Sequence, residues 1–377
     1  MPEGSARHRH SWAPATRAVH GGLPPPRQGE PPLPGPALAA PFHLAGDPDS
    51  APYFYTRFGN PTWTAYEQAL GELEDGEATL FASGMAALCA VLLPLLSPGD
   101  VLVAPSDGYP GVRDLARERL APLGVEVRLV PTDDDAIRAA VAGASLVWLE
   151  TPTNPGLDCA DVAALAAVAH DAGALVAVDN TLATPLDQRP LDLGADVSVC
   201  SGTKALSGHG DLMLGHVAAR DPELVGALRA WRTRTGSIPG PFDAWLGHRS
   251  LATLDVRLER QCSNAQALAE TLAGRDEQLA VRYPGLPGDP AHAVAARQMR
   301  RFGSVLTFTL PDRRRAERFL ESCELVHEAT SFGGVRSSAE RRARWGTDTV
   351  PEGLVRLSAG CEAPSDLLDD VVSALEA

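Results

Sequence analysis

Lys204 stands in the segment Ser201-Gly202-Thr203-Lys204-Ala205-Leu206-Ser207-Gly208-His209-Gly210-Asp211. An amine set among hydroxyls and glycines suits a lysine that forms a Schiff base beside a phosphate. Asp179 lies 25 positions earlier and closes the apolar run Leu175-Val176-Ala177-Val178. An acid at a strand end suits the partner of a protonated ring nitrogen, because a nearby anion favours the cationic form. Together the two residues point to pyridoxal phosphate (PLP), whose pyridinium acts as an electron sink. The bland alternative is a surface lysine in a glycine turn and a helix-capping aspartate.

Three further groups carry chemistry by type and setting. In Ser83-Gly84-Met85 the glycine lets backbone N–H groups close on an oxyanion, and the helix that follows offers its positive end to a phosphate. The ordinary alternative is an N-capping serine. Ser201 and Thr203 bracket Lys204 with hydroxyls that can reach the same phosphate. Arg356, in a strand-like stretch, carries a planar guanidinium able to grip a carboxylate through two hydrogen bonds, or to make a surface salt bridge. His209 reads as structural, His8 and His10 as a tail pair, and no metal-ligand grouping is visible.

The elements that must position these residues alternate along the chain. Residues 1–50 are rich in Pro, Gly, His and Arg and read as a tail or extended arm with little regular structure. Apolar strand-like runs come next at Val101–Ala104, Val125–Val130, Leu146–Leu149 and Leu175–Val178. Helical patterns at Trp63–Leu73, Met85–Leu96, Val112–Leu120, Asp134–Val141 and Asp161–Ala172 separate them. This alternation predicts an α/β fold, a mostly parallel sheet with helices on both faces. Ligands on such sheets bind beyond the carboxyl ends of the strands. Glu150 to Asn154, Asp179-Asn180 and the Lys204 loop all come after strands and converge there. Pro239-Gly240-Pro241 marks a break, after which Ala244–Leu272 reads as one long helix. Strands at Ser304–Leu310 and Val355–Ala359, with helices at Ala316–Leu320 and Ser365–Leu375, complete a smaller α+β domain. The expected divisions are 1–50 (arm), 51–239 (large cofactor-binding domain) and 240–377 (small domain).

Composition bounds the partners. The 377 residues are 44% hydrophobic and 21% charged, with a formal net charge of −15. That excess of acid disfavours nucleic acid and anionic membranes. No apolar run spans a bilayer, and the start lacks a basic-then-apolar signal pattern. Six scattered cysteines without a CxxC read as reduced thiols, so a cytoplasmic location is expected.

Six segments together resemble the cystathionine γ-synthase/γ-lyase family of PLP enzymes for Cys and Met metabolism. They are Tyr55-Thr56-Arg57-Phe58-Gly59-Asn60-Pro61-Thr62, Ser83-Gly84-Met85-Ala86-Ala87, Glu150-Thr151-Pro152-Thr153-Asn154-Pro155, Asp179-Asn180-Thr181, the Lys204 segment, and Arg356-Leu357-Ser358. The match runs from about Thr16 to the C-terminus. The resemblance implies the aspartate-aminotransferase type fold and a homo-oligomer, usually a dimer of dimers. It implies that Tyr55 and Arg57 complete the phosphate site of a neighbouring subunit. Tyr109 matches the tyrosine that stacks on the PLP ring and passes a proton to the leaving group. Asn154 and Ser331 would help Arg356 hold the substrate α-carboxylate. Some positions depart from the family pattern. Pro110 and Val112 replace the commoner Gly and Thr/Ser, and Asp114 stands where many members have Arg. Thr330 stands where many cystathionine enzymes have Glu, and Gly111 where methionine γ-lyases have their active-site cysteine.

The resemblance implies a PLP-dependent carbon–sulfur lyase of transsulfuration, cleaving L-cystathionine to cysteine, 2-oxobutanoate and ammonia. The alternatives are cystathionine γ-synthase, which joins cysteine to an O-acyl-homoserine, and methionine γ-lyase.

Overall fold

The apolar runs pair into a sheet of seven strands. These are β1 (Glu77–Phe81), β2 (Val101–Pro105), β3 (Glu126–Val130), β4 (Leu146–Glu150), β5 (Leu175–Asp179), β6 (Val197–Cys200) and β7 (Gly215–Ala219). A computed structural model describes residues 12–275 and 279–377 of the chain. The spatial order is β1-β7-β6-β5-β4-β2-β3. β7 runs antiparallel to both β1 and β6, and every other pair is parallel. The mostly parallel sheet expected from the sequence is therefore present, with one reversed strand.

Both faces of this sheet are covered, as the continuous apolar runs require. Successive residues point to opposite faces. Leu146 and Trp148 of β4 join Leu102, Ala177, Val197 and Val199 against Leu88, Val91 and Leu92 of the helix Gly84–Leu92. Val147 and Leu149 join Val103, Val176 and Val178 against Leu165 and Ala169 of the helix Val162–Asp171. None of the described helices is long and apolar enough to cross a membrane.

A second sheet holds β8 (Val305–Thr309), β9 (His327–Glu328), β10 (Ser338–Arg341) and β11 (Leu354–Ser358) in the order β8-β11-β10-β9. Its core joins Leu306, Phe308, Val355 and Leu357 to Phe319, Leu367 and Val371 of two helices, Arg313–Ser322 and Pro364–Glu376.

Two expectations are corrected. The predicted long helix Ala244–Leu272 is two helices, Pro241–Leu251 and Leu254–Arg275. The break is held by Arg257, which donates to Ser250 O (3.0 Å) and Thr253 Oγ1 (3.2 Å). The same guanidinium donates to Ala205 O (2.6 Å) and Leu206 O (3.2 Å), so the interruption anchors the loop after Lys204. The N-terminal stretch also contains regular structure. Pro14–His20 is a helix that buries Arg17 and Ala18 against the helix Pro61–Glu74. It is only seven residues long and starts at a proline, which hid it in a Pro-rich text.

The rest of the arm is irregular apart from a short turn at Pro48–Ser50, and part of its backbone bonds to the body. Asn60 is fully buried, caps the helix Pro61–Glu74 by accepting from Thr62 N (2.9 Å), and donates to Ala37 O (3.0 Å). Thr62 Oγ1 accepts from Ala37 N (2.9 Å). Asn60→Ala removes a helix cap and a bond to the arm, leaving Ala37 O its bond from Ala39 N, so we expect a loss of about 1–2 kcal/mol, read as a lowered unfolding midpoint.

Candidate active site

The carboxyl ends of β2, β4, β5 and β6 open into one cavity of about 490 Å³. β5 delivers Asp179, β4 delivers Glu150, and the turn after β6 delivers Ser201, Thr203 and Lys204. Ser83, Gly84, Met85 and Tyr109 line it from the same sheet, and Asn154, Ser331 and Arg356 complete it.

Lys204 is tied to the second sheet. Its Nζ donates to Ser331 Oγ (2.7 Å) and lies 5.0 Å from the Phe332 ring centre. Burial, then the charge of Arg356, lowers the Lys204 pKa to about 8. Ser331 also accepts from Arg356 Nη2 at its carbonyl (3.0 Å), and its backbone is held at φ +84°. That left-handed conformation is uncommon for a residue with a side chain and marks a constrained position.

Asp179 opens onto the cavity, and its Oδ1 accepts from Thr181 N (3.0 Å). Burial raises its pKa, while the Thr181 hydroxyl and amide and the charge of Lys204 work in the other direction. Its register partner on the adjacent strand is Glu150, a residue absent from the expected site. The Glu150 carboxyl accepts from Tyr109 N (2.5 Å) and Asn154 N (2.8 Å). Burial, then the Asp179 charge, pushes it up to about 8. The rule that singled out Asp179, an acid at the end of an apolar strand, also describes Glu150.

Tyr109 precedes the helix Pro110–Leu115, and its ring is 38% exposed in the cavity wall. Its pKa is raised by burial and by the nearby carboxylates. Gly111 sits under the ring: a Cβ there would meet Tyr109 Cε1 at 2.5 Å and Met85 Sδ at 2.7 Å. Asp114 faces solvent, whereas Arg113 turns inward.

Ser83 Oγ accepts from Ala86 N (3.1 Å), so the serine is a helix cap. The Gly84 and Met85 amides have no acceptor among the described residues. A Cβ on Gly84 would lie 2.7 Å from Ser201 Cβ, which explains the glycine. Free amides at a helix start, beside the Ser201 hydroxyl, make an anion cradle. The Thr203 hydroxyl donates to Leu214 O (3.2 Å) and accepts from Leu214 N (3.1 Å) while its residue lines the cavity. Tyr55 and Arg57 do not line the cavity of their own chain. Tyr55 is 42% exposed, and Arg57 donates to Thr233 O (3.2 Å) with its guanidinium 4.8 Å from the Phe58 ring centre.

Arg356 lies on β11 directly across from Glu340 on β10. It is buried and donates to Asn154 Oδ1 (2.7 Å) and Glu340 Oε1 (2.5 Å), which rules out a surface salt bridge. Burial lowers its pKa to about 10, with Glu340 opposing the shift. Glu340 also accepts from Arg342 (2.7 Å) and from Trp345 Nε1 (2.8 Å). Arg342 donates in turn to Asp348 (2.5 Å), and Asp348 accepts from Arg113 (2.8 Å). The sequence reading missed this whole chain of charges, because the text around Glu340 is too charged to signal a strand.

One grouping outside the cavity was also unforeseen. Ligand atoms of Glu74, Cys200 and His216 lie within 4.8 Å of one another and are buried. His216 Nε2 pairs with Glu74 Oε1 at 2.8 Å, as a core histidine satisfied by an acid.

A lysine amine of lowered pKa, an acid at a strand end and free amides at a helix start are the donor set that PLP requires. The cavity residues fit that group. The sequence profile described as Cys/Met metabolism PLP-dependent enzyme matches residues 40–376. A Streptomyces coelicolor protein, provisionally named a cystathionine gamma-lyase, is 57% identical over 99% of this chain and 96% of its own. Cystathionine gamma-synthase of Mycobacterium tuberculosis is 40% identical over the whole of both chains. The crystal structure of metB from Corynebacterium glutamicum superposes with a TM-score of 0.94 at 37% identity, covering 98% of this chain and 99% of the other. The chain belongs to the Cys/Met metabolism PLP-dependent enzyme family, with the aspartate-aminotransferase-like fold. Its chemistry is the γ-lyase and γ-synthase chemistry of sulfur amino acids.

The lowered Lys204 pKa has a measurable sign. The neutral amine is the nucleophile, so cofactor-free protein is expected to capture PLP at a rate that rises through pH about 8, well below the ordinary lysine value of 10.5. Borohydride fixation at each pH measures it, and Lys204→Ala is expected to fix none.

Proposed function

We propose that this enzyme catalyses γ-elimination of L-cystathionine, giving L-cysteine, 2-oxobutanoate and ammonia with uptake of one water. The observation that carries the reading is Ser331, which accepts from Lys204 at its hydroxyl and from Arg356 at its carbonyl. The amine that exchanges with a substrate amine and the guanidinium that receives a carboxylate thus stand one residue apart, as an α-amino acid requires.

In this reading Lys204 attaches the cofactor and, once freed, takes the proton from Cα. Bound PLP supplies the sink for the electron pair left there. Asp179 would face the ring nitrogen and hold it protonated. Gly84, Met85, Ser83, Ser201 and Thr203 surround the phosphate. Arg356, with Asn154 and Ser331, holds the α-carboxylate. Tyr109, in the cavity wall, would lie against the ring and could supply a proton to the departing sulfur. The packing of the Tyr109 ring and Met85 over Gly111 supports the choice against methionine γ-lyase, since a side chain at 111 would displace both. The division into arm, large domain and small domain at about 50 and 240 belongs to the same proposal, as do a cytoplasmic location and a dimer of dimers.

γ-Elimination and γ-replacement share their early steps, and the site decides whether water or a thiol completes the reaction. Product analysis tests this. L-Cystathionine is expected to yield cysteine and 2-oxobutanoate in equal amounts, with O-succinyl- or O-acetyl-homoserine plus cysteine the poorer reaction by kcat/KM. An acyl-homoserine condensation at least tenfold more efficient makes the enzyme a γ-synthase instead.

Tyr55 and Arg57 lie outside their own cavity, which supports their service to a partner's phosphate site. Mixing inactive Arg57→Ala and Lys204→Ala subunits is expected to restore part of the activity, because one site of each hybrid dimer then carries both intact residues. Subunit exchange verified by mass spectrometry with no recovered activity refutes the sharing.

A further inference from the structure

Glu340 divides its carboxylate between two tasks. Oε1 accepts from Arg356, and Oε2 accepts from the indole Nε1 of Trp345. Trp345 ends the short turn Arg342–Trp345, which closes at Gly346 with φ +65°. The turn is fastened on both sides. Arg342 is paired to Glu340 and Asp348, and Arg113 donates to Asp348 Oδ1 (2.8 Å) and to Thr347 O (3.0 Å). The side chains of Arg113, Arg342, Glu340 and Asp348 are at most 10% exposed. Against that frame Trp345 is 50% exposed, with its ring in the cavity wall and the Arg344 guanidinium 5.5 Å from its centre. An indole held rigidly by its N–H, with an open apolar face, offers contact area at little entropic cost to whatever lies beside it.

We propose that Trp345 is a specificity-determining residue. Its indole face receives the part of a thioether amino acid that lies beyond the sulfur, so the site selects substrates by the length of that arm. The inference rests on the proposed role of Arg356 as the α-carboxylate clamp. One carboxylate group separates the indole N–H from that clamp, which places the ring within reach of a chain that starts at Arg356 and runs along the cavity past Tyr109. Thr330 and Thr347 line the same cavity and bring no net charge. The guanidinium of Arg342 is already paired with two carboxylates, and that of Arg344 with Glu328. The arm is therefore recognised chiefly by packing, which suits a class of thioether amino acids bearing an S-substituent of several atoms.

The test uses two ligands that cannot be cleaved at Cγ, so it is independent of whether the enzyme is a lyase or a synthase. L,L-2,7-Diaminosuberate replaces the cystathionine sulfur by a methylene, and L-norleucine has the same head without the far end. Calorimetric titration of the PLP-loaded enzyme is expected to show Trp345→Ala binding diaminosuberate about tenfold more weakly, the loss expected for an apolar contact of this size. Norleucine affinity is expected to change less than twofold, and Trp345→Phe to recover most of the diaminosuberate affinity. Equal losses for both ligands, or none for either, overturn the proposal. So does dissociation of the oligomer by light scattering with the affinity ratio intact, which would make Trp345 a subunit contact. An Arg356→Lys variant that keeps its norleucine affinity would instead remove the clamp reading, which separates the two failures.

Discussion

Charge pairing in a space with little water is the constraint on which this site depends. Arg356, Glu340, Arg342, Asp348 and Arg113 form a buried chain of alternating sign. Removing one member would leave its neighbours charged and unpaired, which costs far more than the net worth of any single pair. The chain begins on the second sheet and ends on the helix just after Tyr109, so it fixes the guanidinium and the tyrosine in one frame. Three cations against two anions leave it one carboxylate short at the end that faces the cavity.

A second balance is struck between neighbouring acids. Glu150 and Asp179 end adjacent parallel strands at matched register, and two carboxylates so placed resist being ionised together. Burial and the Asp179 charge push Glu150 up to about 8, against the pull of the two backbone amides it accepts, and so favour its proton. The folded chain holds that proton where an unfolded one, near 4.5, would release it. Between those values the group therefore makes stability fall as pH rises.

How much was legible depended on whether one segment sufficed to make a feature. Leu146–Leu149 and Leu175–Val178 announce strands because both of their faces are buried. Lys204 and Asp179 announce themselves because their surroundings are local in sequence. The ladder of β10 on β11 is different. Ser338-Ala339-Glu340-Arg341 has no apolar signal, and Glu340 matters only because it stands opposite Arg356, 16 residues away. Arg113 and Asp348 are 235 residues apart, and neither hints at the other. The break after Leu251 was invisible for the same reason, since Arg257 holds it while reaching across to the Lys204 loop. Tyr55 and Arg57 were legible only through the family pattern, and they stand outside the cavity formed by a single chain.

The groups that fit the cofactor come from the ends of the first sheet, while those that fit a substrate come mostly from the loop before β10 and from β11, with Asn154 added from the turn after β4. Ser331, bonded to Lys204 on one side and Arg356 on the other, is a seam that couples the two surfaces. The exposed, uncharged positions of residues 330–348 that line the cavity, Thr330, Trp345 and Thr347, carry neither the Lys204 contact nor a charge of the buried chain. A change in the choice of sulfur compound is therefore tolerated best at these three places, with Ser331, Glu340, Arg342 and Asp348 left as they are.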